Sequence, residues 1–287
     1  MNRLPPWFAQ QIPDQAVLGR IDEAGGARVR TVCREARCPN TARCLKNKQL
    51  TFLILGPVCT RHCLFCAVQK AYPAQAADPQ ESGRIAALVK RWDLRYVVVT
   101  SVTRDDLPDG GSGLFCGVVD AIRGLGGDRK IELLVPDFQG KVRRVEEVVA
   151  AGPDVFGHNI ETVARLYPDV RPEADYSRSL EILKAAKSFD PGIITKSSIM
   201  LGLGENEYDV YSAMEHLRRA SVDILTLGQY LAPSDKHYAV REFIAPERFA
   251  RYGDIARQLG FRAVLSGPLV RSSFRAEELY NSILCSI

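Results

Sequence analysis

The 287-residue chain has no stretch of about eighteen consecutive apolar residues, so nothing in it reads as a membrane-spanning helix. Its first residues, Met1-Asn2-Arg3-Leu4-Pro5-Pro6-Trp7, hold no apolar run of signal-peptide type. No segment is compositionally simple, and no unit of twenty to fifty residues repeats, which excludes solenoids and propellers. No run of basic residues interleaves with aromatics, which argues against nucleic acid. Charge of one sign is barely in excess. Thirty-eight Lys and Arg against 34 Asp and Glu leave +4, which mildly favours an acidic partner. These absences describe an ordinary globular chain, expected in the cytoplasm with reduced thiols.

Cysteine is where the sequence stops being ordinary. Six of its eight cysteines form two triplets, Cys33-x4-Cys38-x5-Cys44 and Cys59-x3-Cys63-x2-Cys66. Three readings compete. A disulfide framework suits small secreted chains with thin cores, which this is not. Structural zinc usually pairs two C-x2-C units, but only Cys63 and Cys66 have that spacing, and His62 is a poor fourth ligand. Iron–sulfur clusters are held by thiolates and accept a non-cysteine ligand at one iron. A triplet with one position left open suggests a cluster that does chemistry. Cys116 and Cys285 read as a small buried residue and an incidental thiol.

Short β-branched runs alternate with helical patterns along the rest of the chain. Strands are expected over residues 51–56, 95–100, 131–135, 154–159, 193–201, 222–227 and 261–265. Val97-Val98-Val99 lacks polar alternation, as in strands buried on both faces. Helices are expected over 82–92, 114–123, 142–150, 177–188, 207–220 and 246–259, the last opening with Pro246. The pattern predicts a parallel sheet with helices outside. Residues 1–50, rich in proline and glycine, read as an N-terminal extension with at most a short helix near Asp14 to Glu23. Residues 51–260 read as the α/β body and 261–287 as a C-terminal segment.

In parallel barrels reactive groups gather at the C-terminal strand ends. Here the first strand runs into the Cys59–Cys66 loop. Later ends carry Thr100-Ser101, Asp137, His158-Asn159 with Glu161, Gly202 to Glu205, Gln229-Tyr230 and Ser266-Gly267. All share one predicted face with the second triplet. Taken singly, each has a bland reading. His158 alone is more often structural, and a lone glycine pair is weak evidence for a nucleotide. Trp7 and Trp92 read as packing.

The spacing C-x3-C-x2-C resembles the signature of the radical S-adenosylmethionine (SAM) superfamily. About six βα units resemble its partial (β/α)6, TIM-like barrel. Longer segments resemble one branch, lipoyl synthase. They include Val32-Cys33-Arg34-Glu35-Ala36-Arg37-Cys38-Pro39-Asn40, Thr100-Ser101-Val102-Thr103-Arg104-Asp105-Asp106-Leu107, His158-Asn159-Ile160-Glu161-Thr162, and Met200-Leu201-Gly202-Leu203-Gly204-Glu205. Near the end, Arg271-Ser272-Ser273-Phe274 resembles that family's Arg-Ser-Ser-Tyr.

The resemblance implies sulfur insertion at C6 and C8 of a protein-bound octanoyl chain, giving a lipoyl group. It implies SAM and two 4Fe–4S clusters as cofactors. Cys59, Cys63 and Cys66 would hold the SAM-binding cluster. Cys33, Cys38 and Cys44 would hold an auxiliary, sulfur-donating cluster, with Ser273 as its fourth ligand and Arg271 orienting that motif. Thr100, Ser101, Asn159, Glu161, Gly202 and Glu205 are the implied SAM contacts. Implied partners are octanoylated lipoyl carrier domains (a glycine-cleavage H protein or a 2-oxoacid dehydrogenase acyltransferase), a flavodoxin or ferredoxin reductant, and an iron–sulfur carrier. Neither nucleic acid nor membrane is expected. Phe274, Ser198, Arg43 and Leu45 depart from the family pattern. The alternatives are another two-cluster radical SAM enzyme, such as a methylthiolase, or a metal-binding module without catalysis.

Overall fold

The computed structural model describes residues 4–9, 15–72 and 76–285. Three helices come first: α1 (Gln15–Gly26), α2 (Val32–Glu35) and α3 (Thr41–Lys46). The short helix expected near Asp14 to Glu23 is α1, with Asp14 outside the described residues. Strand β1 (Thr51–Ile54) opens the main sheet, and β2 (Val58–Cys59) pairs with β3 (Gln69–Lys70) as a separate two-stranded ladder. Then follow α4 (Glu81–Arg91), β4 (Tyr96–Ser101), α5 (Ser112–Arg123), β5 (Lys130–Leu134), α6 (Val142–Ala150) and β6 (Val155–Gly157). A short α7 (Tyr167–Val170) precedes α8 (Tyr176–Phe189), β7 (Ile194–Leu201), α9 (Glu207–Arg219), β8 (Ile224–Gln229), α10 (Pro246–Gln258), β9 (Ala263–Gly267) and α11 (Ala276–Leu284).

Seven strands pair in the order β1-β4-β5-β6-β7-β8-β9, every pair parallel. Six long helices connect them, so the expected count of six βα units and the seven strands agree. The last strand, β9, lies within the segment expected as a C-terminal extension. Local signals explain the boundaries. Asn206 and Asp209 form a reciprocal capping box that starts α9, and Asp175 caps α8 through the Arg178 N–H.

Side chains on the two faces of the strands do different jobs. Val97 and Val99 face outward and pack with α4 and α5 residues such as Val89 and Phe115. Tyr96, Val98, Val155, Ile194, Ile224 and Ala263 pack instead with Leu279, Tyr280 and Ile283 of α11. The C-terminal helix therefore closes the end of the barrel away from the Cys59–Cys66 loop. Inside this floor lies a buried ion pair. Lys196 donates to both Glu132 oxygens (2.7 and 3.0 Å), and Tyr96 adds a 2.7 Å hydrogen bond.

Candidate active site

The Cys59–Cys66 loop leaves β1 through Leu55 and Gly56, both at positive φ. It is held from several sides. Lys70 donates to the Cys63 carbonyl (2.9 Å), the Thr60 N–H donates to the Thr103 carbonyl (3.0 Å), and the Leu64 N–H donates to the Val170 carbonyl (3.0 Å). Arg61, 4 % exposed, donates to both oxygens of Asp105 and both of Asp137, at 2.6–3.0 Å. Such forked pairs fix direction as well as position. Burial alone would raise the Asp137 carboxyl, but Arg61 holds it well below the usual carboxylate range. This network is invisible in sequence, since its members lie 44 and 76 residues apart.

Within that loop the three thiols are free and near enough to feel one another's charge. Burial, then Cys63 and Cys59, pushes Cys66 up to about 11, and burial likewise raises Cys63. The first triplet, carried by α2, α3 and the turn between them, is raised by burial as well. Cys33 is pushed up to about 11 by burial and then Cys38; Cys44 is pushed up to about 12 by burial, Cys38 and Cys33. Half-buried thiols pushed up by their neighbours, Cys66 in one set and Cys33 and Cys44 in the other, fit sites completed by positive charge. Among the described residues no three His, Cys, Asp or Glu side chains converge tightly enough for a single metal ion. Three thiolates with a fourth position left open suit an iron–sulfur cluster, which accepts a non-cysteine ligand at one iron.

Two adjoining cavities open beside these thiols. The smaller, about 160 Å³, is lined by Cys59, Cys63 and Cys66 together with Thr100, Ser101, His158, Asn159, Glu161 and Arg171. The larger, about 510 Å³, is lined by Cys33, Cys38 and Cys44, by Arg271, Ser272 and Ser273, and by an apolar wall that includes Val98, Leu134, Ile199, Met200 and Val270. Cys66, Thr100, Asn159 and Glu161 line both.

Most of the sequence-derived set converges here. Thr100 donates to the Leu134 carbonyl (2.8 Å) at the end of β4. Asn159 donates to Glu161 (3.1 Å) and accepts from Ser272 (3.0 Å). Glu161 sits at φ 64° and bonds through its backbone to Ser198 and Met200 of β7. Ser273 accepts a 2.7 Å hydrogen bond from Thr51, whose backbone N–H in turn donates to the Cys33 sulfur. Arg271, half-buried and with its pKa lowered by desolvation, lies close enough to Cys38 to favour its thiolate. Gly202 and Glu205 stand apart. Neither lines either of these two cavities, and the Glu205 carboxylate accepts from the Gly202 and Leu203 N–H groups (2.5 and 2.9 Å), closing its own turn.

Two further residues belong to the smaller cavity. His158, 2 % exposed, bonds through Nδ1 to the Val135 carbonyl (2.8 Å), while Nε2 has no protein partner. Burial, then Arg171, pushes it down to about 4, so it is neutral and presents an acceptor nitrogen. Arg171 donates to the Asn159 and Ile160 carbonyls and to Tyr167 (3.0–3.2 Å), with no carboxylate in salt-bridge contact among the described residues. Their positions at a strand end and in the Val170-Arg171-Pro172 segment were the only sequence signals. Two departures also explain each other: the Arg43 guanidinium lies 5.3 Å from the Phe274 ring centre, a cation–π contact in place of a tyrosine hydroxyl. Ser198 donates to the Thr226 carbonyl (3.3 Å), and Leu45 is core.

The Radical SAM superfamily profile matches residues 53–230. The chain is 49 % identical over 275 residues to the lipoyl synthase of Rubrobacter xylanophilus, covering 96 % of this chain and 85 % of that one. It is 50 % identical to those of Caldicellulosiruptor saccharolyticus (96 % and 97 % covered) and Geobacter sulfurreducens (96 % and 90 %). Among solved structures, HydG, a maturase of the FeFe-hydrogenase, superposes with TM-score 0.60 at 14 % identity, covering 81 % of this chain and 54 % of that one. Methylornithine synthase superposes with TM-score 0.57 at 13 % identity, covering 81 % and 68 %. These two likenesses concern the fold.

Proposed function

The chain belongs to the lipoyl synthase family of radical SAM enzymes, and from that premise we propose that the two adjoining cavities are the two halves of one sulfur-insertion site. The enzyme inserts sulfur at C6 and C8 of an octanoyl chain carried on a lipoyl domain. Bound SAM and its cluster supply a 5′-deoxyadenosyl radical able to break unactivated C–H bonds, and an auxiliary 4Fe–4S cluster supplies the sulfur.

Everything else is the work of this chain's residues. Cys59, Cys63 and Cys66 hold the SAM-binding cluster, kept in place by the Arg61–Asp105–Asp137 network. Thr100, Ser101, Asn159 and Glu161 supply hydrogen bonds for SAM. Arg171 brings positive charge beside Cys63, and His158 offers a neutral acceptor. Cys33, Cys38, Cys44 and Ser273 hold the auxiliary cluster, with Arg271 balancing its thiolates. A serine oxygen is a harder ligand than thiolate, so the iron that Ser273 would hold would differ from the three held by cysteines. The apolar wall receives the octanoyl chain and excludes water, which suits a reactive radical.

The shared lining carries this reading: Cys66, Asn159 and Glu161 belong to both cavities, so a carbon in one lies beside groups of the other. Flavodoxin or ferredoxin as reductant, an iron–sulfur carrier, and a cytoplasmic setting complete the proposal. Among the described residues no helix is long and apolar enough to cross a membrane. The test is anaerobic reconstitution with iron and sulfide, an iron count, and assay for 5′-deoxyadenosine and lipoyl product with an octanoylated peptide. Two clusters and both products are expected; one cluster, or SAM cleavage without any thiolated product, would sink it.

A further inference from the structure

The net charge of the chain is small, but it is not evenly spread. Between residues 28 and 48 stand seven basic residues, every one exposed, and a single acidic one, Glu35. Their excess is larger than the chain's total of +4, so the remainder of the molecule is slightly acidic. Glu35 lies 3.4 Å from Arg30. Arg34, Arg37, Lys46 and Lys48 have no acidic partner in salt-bridge contact among the described residues. Surfaces ordinarily intersperse the two signs, and clustered charge of one sign is a recognition feature.

The position of the patch is as telling as its sign. Arg37 lines the larger cavity, Arg34 and Arg43 adjoin the lining residues Cys33 and Cys44, and Lys48 adjoins the lining residue Gln49. Arg37, exposed and lining the chamber, thus stands on its lip, with Arg34, Arg43 and Lys48 each one residue from the lining. A substrate with its reacting carbons inside that chamber and its attachment point outside meets this patch when it enters past Arg37.

We infer that residues 28–48 form the docking surface for the octanoylated carrier protein, which meets it with an acidic patch around its acyl-bearing residue. The inference rests on the lipoyl synthase reading and adds the surface and the partner's charge. The patch contains no aromatic residue on which a nucleic-acid base could stack. None of the exposed large hydrophobic side chains falls in it, which leaves nothing to insert into a lipid surface. Charge complementarity with a protein is what remains. It raises the rate of encounter and is screened by salt.

The triple variant Arg34→Glu/Lys46→Glu/Lys48→Glu, loaded with both clusters, tests it. Two substrates are compared: an intact octanoylated lipoyl domain and a short, uncharged octanoylated peptide. Expected is a fall of about tenfold or more in kcat/KM for the domain, with iron content, SAM cleavage and peptide turnover essentially unchanged. In the wild-type enzyme, raising salt from about 0.05 to about 0.3 M lowers kcat/KM for the domain and not for the peptide. Equal losses on both substrates would overturn the inference, as would wild-type turnover of the domain that ignores salt. If the variant fails to load its clusters, the wild-type salt series decides alone. Duplex DNA competing better than the acidic domain would also overturn it. A loaded wild-type enzyme that converts neither substrate would refute the lipoyl synthase reading itself.

Discussion

Ser273 and Thr51 meet at 2.7 Å although 222 positions separate them, and Thr51 also bonds through its backbone to Cys33. One hydroxyl thus ties the far end of the chain to the first thiol triplet. Replacing Ser273 with Ala is expected to leave SAM cleavage largely intact and abolish lipoyl formation, read by chromatography of 5′-deoxyadenosine against product. Full product formation would refute its role as ligand. Asp137 makes a second residue-scale case. Its carboxylate, fully buried, serves both Arg61 and Arg178. Because its folded pKa lies below the ordinary value, the stability it contributes is present above about pH 4. That stability is lost as pH falls through the folded pKa. Asp137→Asn removes one of the two carboxylates on buried Arg61 and leaves Asp105 as its partner, so the cost is expected to fall below the about 3–5 kcal/mol of a buried charge left with no partner. Urea denaturation at pH 7 should show the loss, and the gap to wild type should narrow as the pH is lowered below about 4.

Elements matter here chiefly where they cross. The segment after β9 runs over β8 at Gly228, where an added Cβ would stand 2.0 Å from the Val270 carbonyl oxygen. Backbone cannot yield as a flexible side chain does, so Gly228→Ala must displace the stretch that carries Arg271 to Ser273. The expected result is selective: about four irons per chain after reconstitution in place of about eight, with the SAM-binding cluster retained. Loss of both clusters, or of neither, would show that this crossing does not position the auxiliary ligand. The two-residue ladder between β2 and β3 plays the matching part at the other site. It closes the base of the Cys59–Cys66 loop, and the Ala71 N–H returns to the Cys59 carbonyl (3.2 Å). Strands and long helices were legible in sequence because their apolar periods and caps are local. The expected strand over 131–135 is found at Lys130–Leu134, and the expected helix over 246–259 at Pro246–Gln258. The four-residue α2, the two-residue strands and α11 were not, since each is held mainly by contacts beyond its own length.

On the scale of the whole molecule, the sheet ends at β1 and β9 without those strands pairing. The termini bridge that region. Asn40 donates to the Leu269 carbonyl (2.5 Å) and Thr51 to Ser273. The floor is sealed by α11, whose Leu279, Tyr280 and Ile283 are each 7 % exposed or less. A chain stopped after Arg275 gives up those three side chains, at about 1.5–3 kcal/mol apiece, against a typical total stability of about 5–15 kcal/mol. A much lower urea midpoint, or no cooperative transition, is expected; an unchanged midpoint would show that the floor is sealed without it.

By itself the sequence settled what depends on neighbours along the chain: the cysteine spacings, the alternation of strands and helices, and the polar character of the strand ends. These follow from chain geometry, because a loop of a few residues can bring its own thiols together without help. Only the tertiary structure decided that Ser273 would bond to Thr51 and line the same cavity as Cys33, Cys38 and Cys44, that Arg61 would be gripped by two aspartates, and that the two cavities would share a wall. It also separated Gly202 and Glu205 from the residues that line the cavities. Each of these depends on packing between segments tens to hundreds of residues apart, and side-chain period and spacing carry no information about that distance.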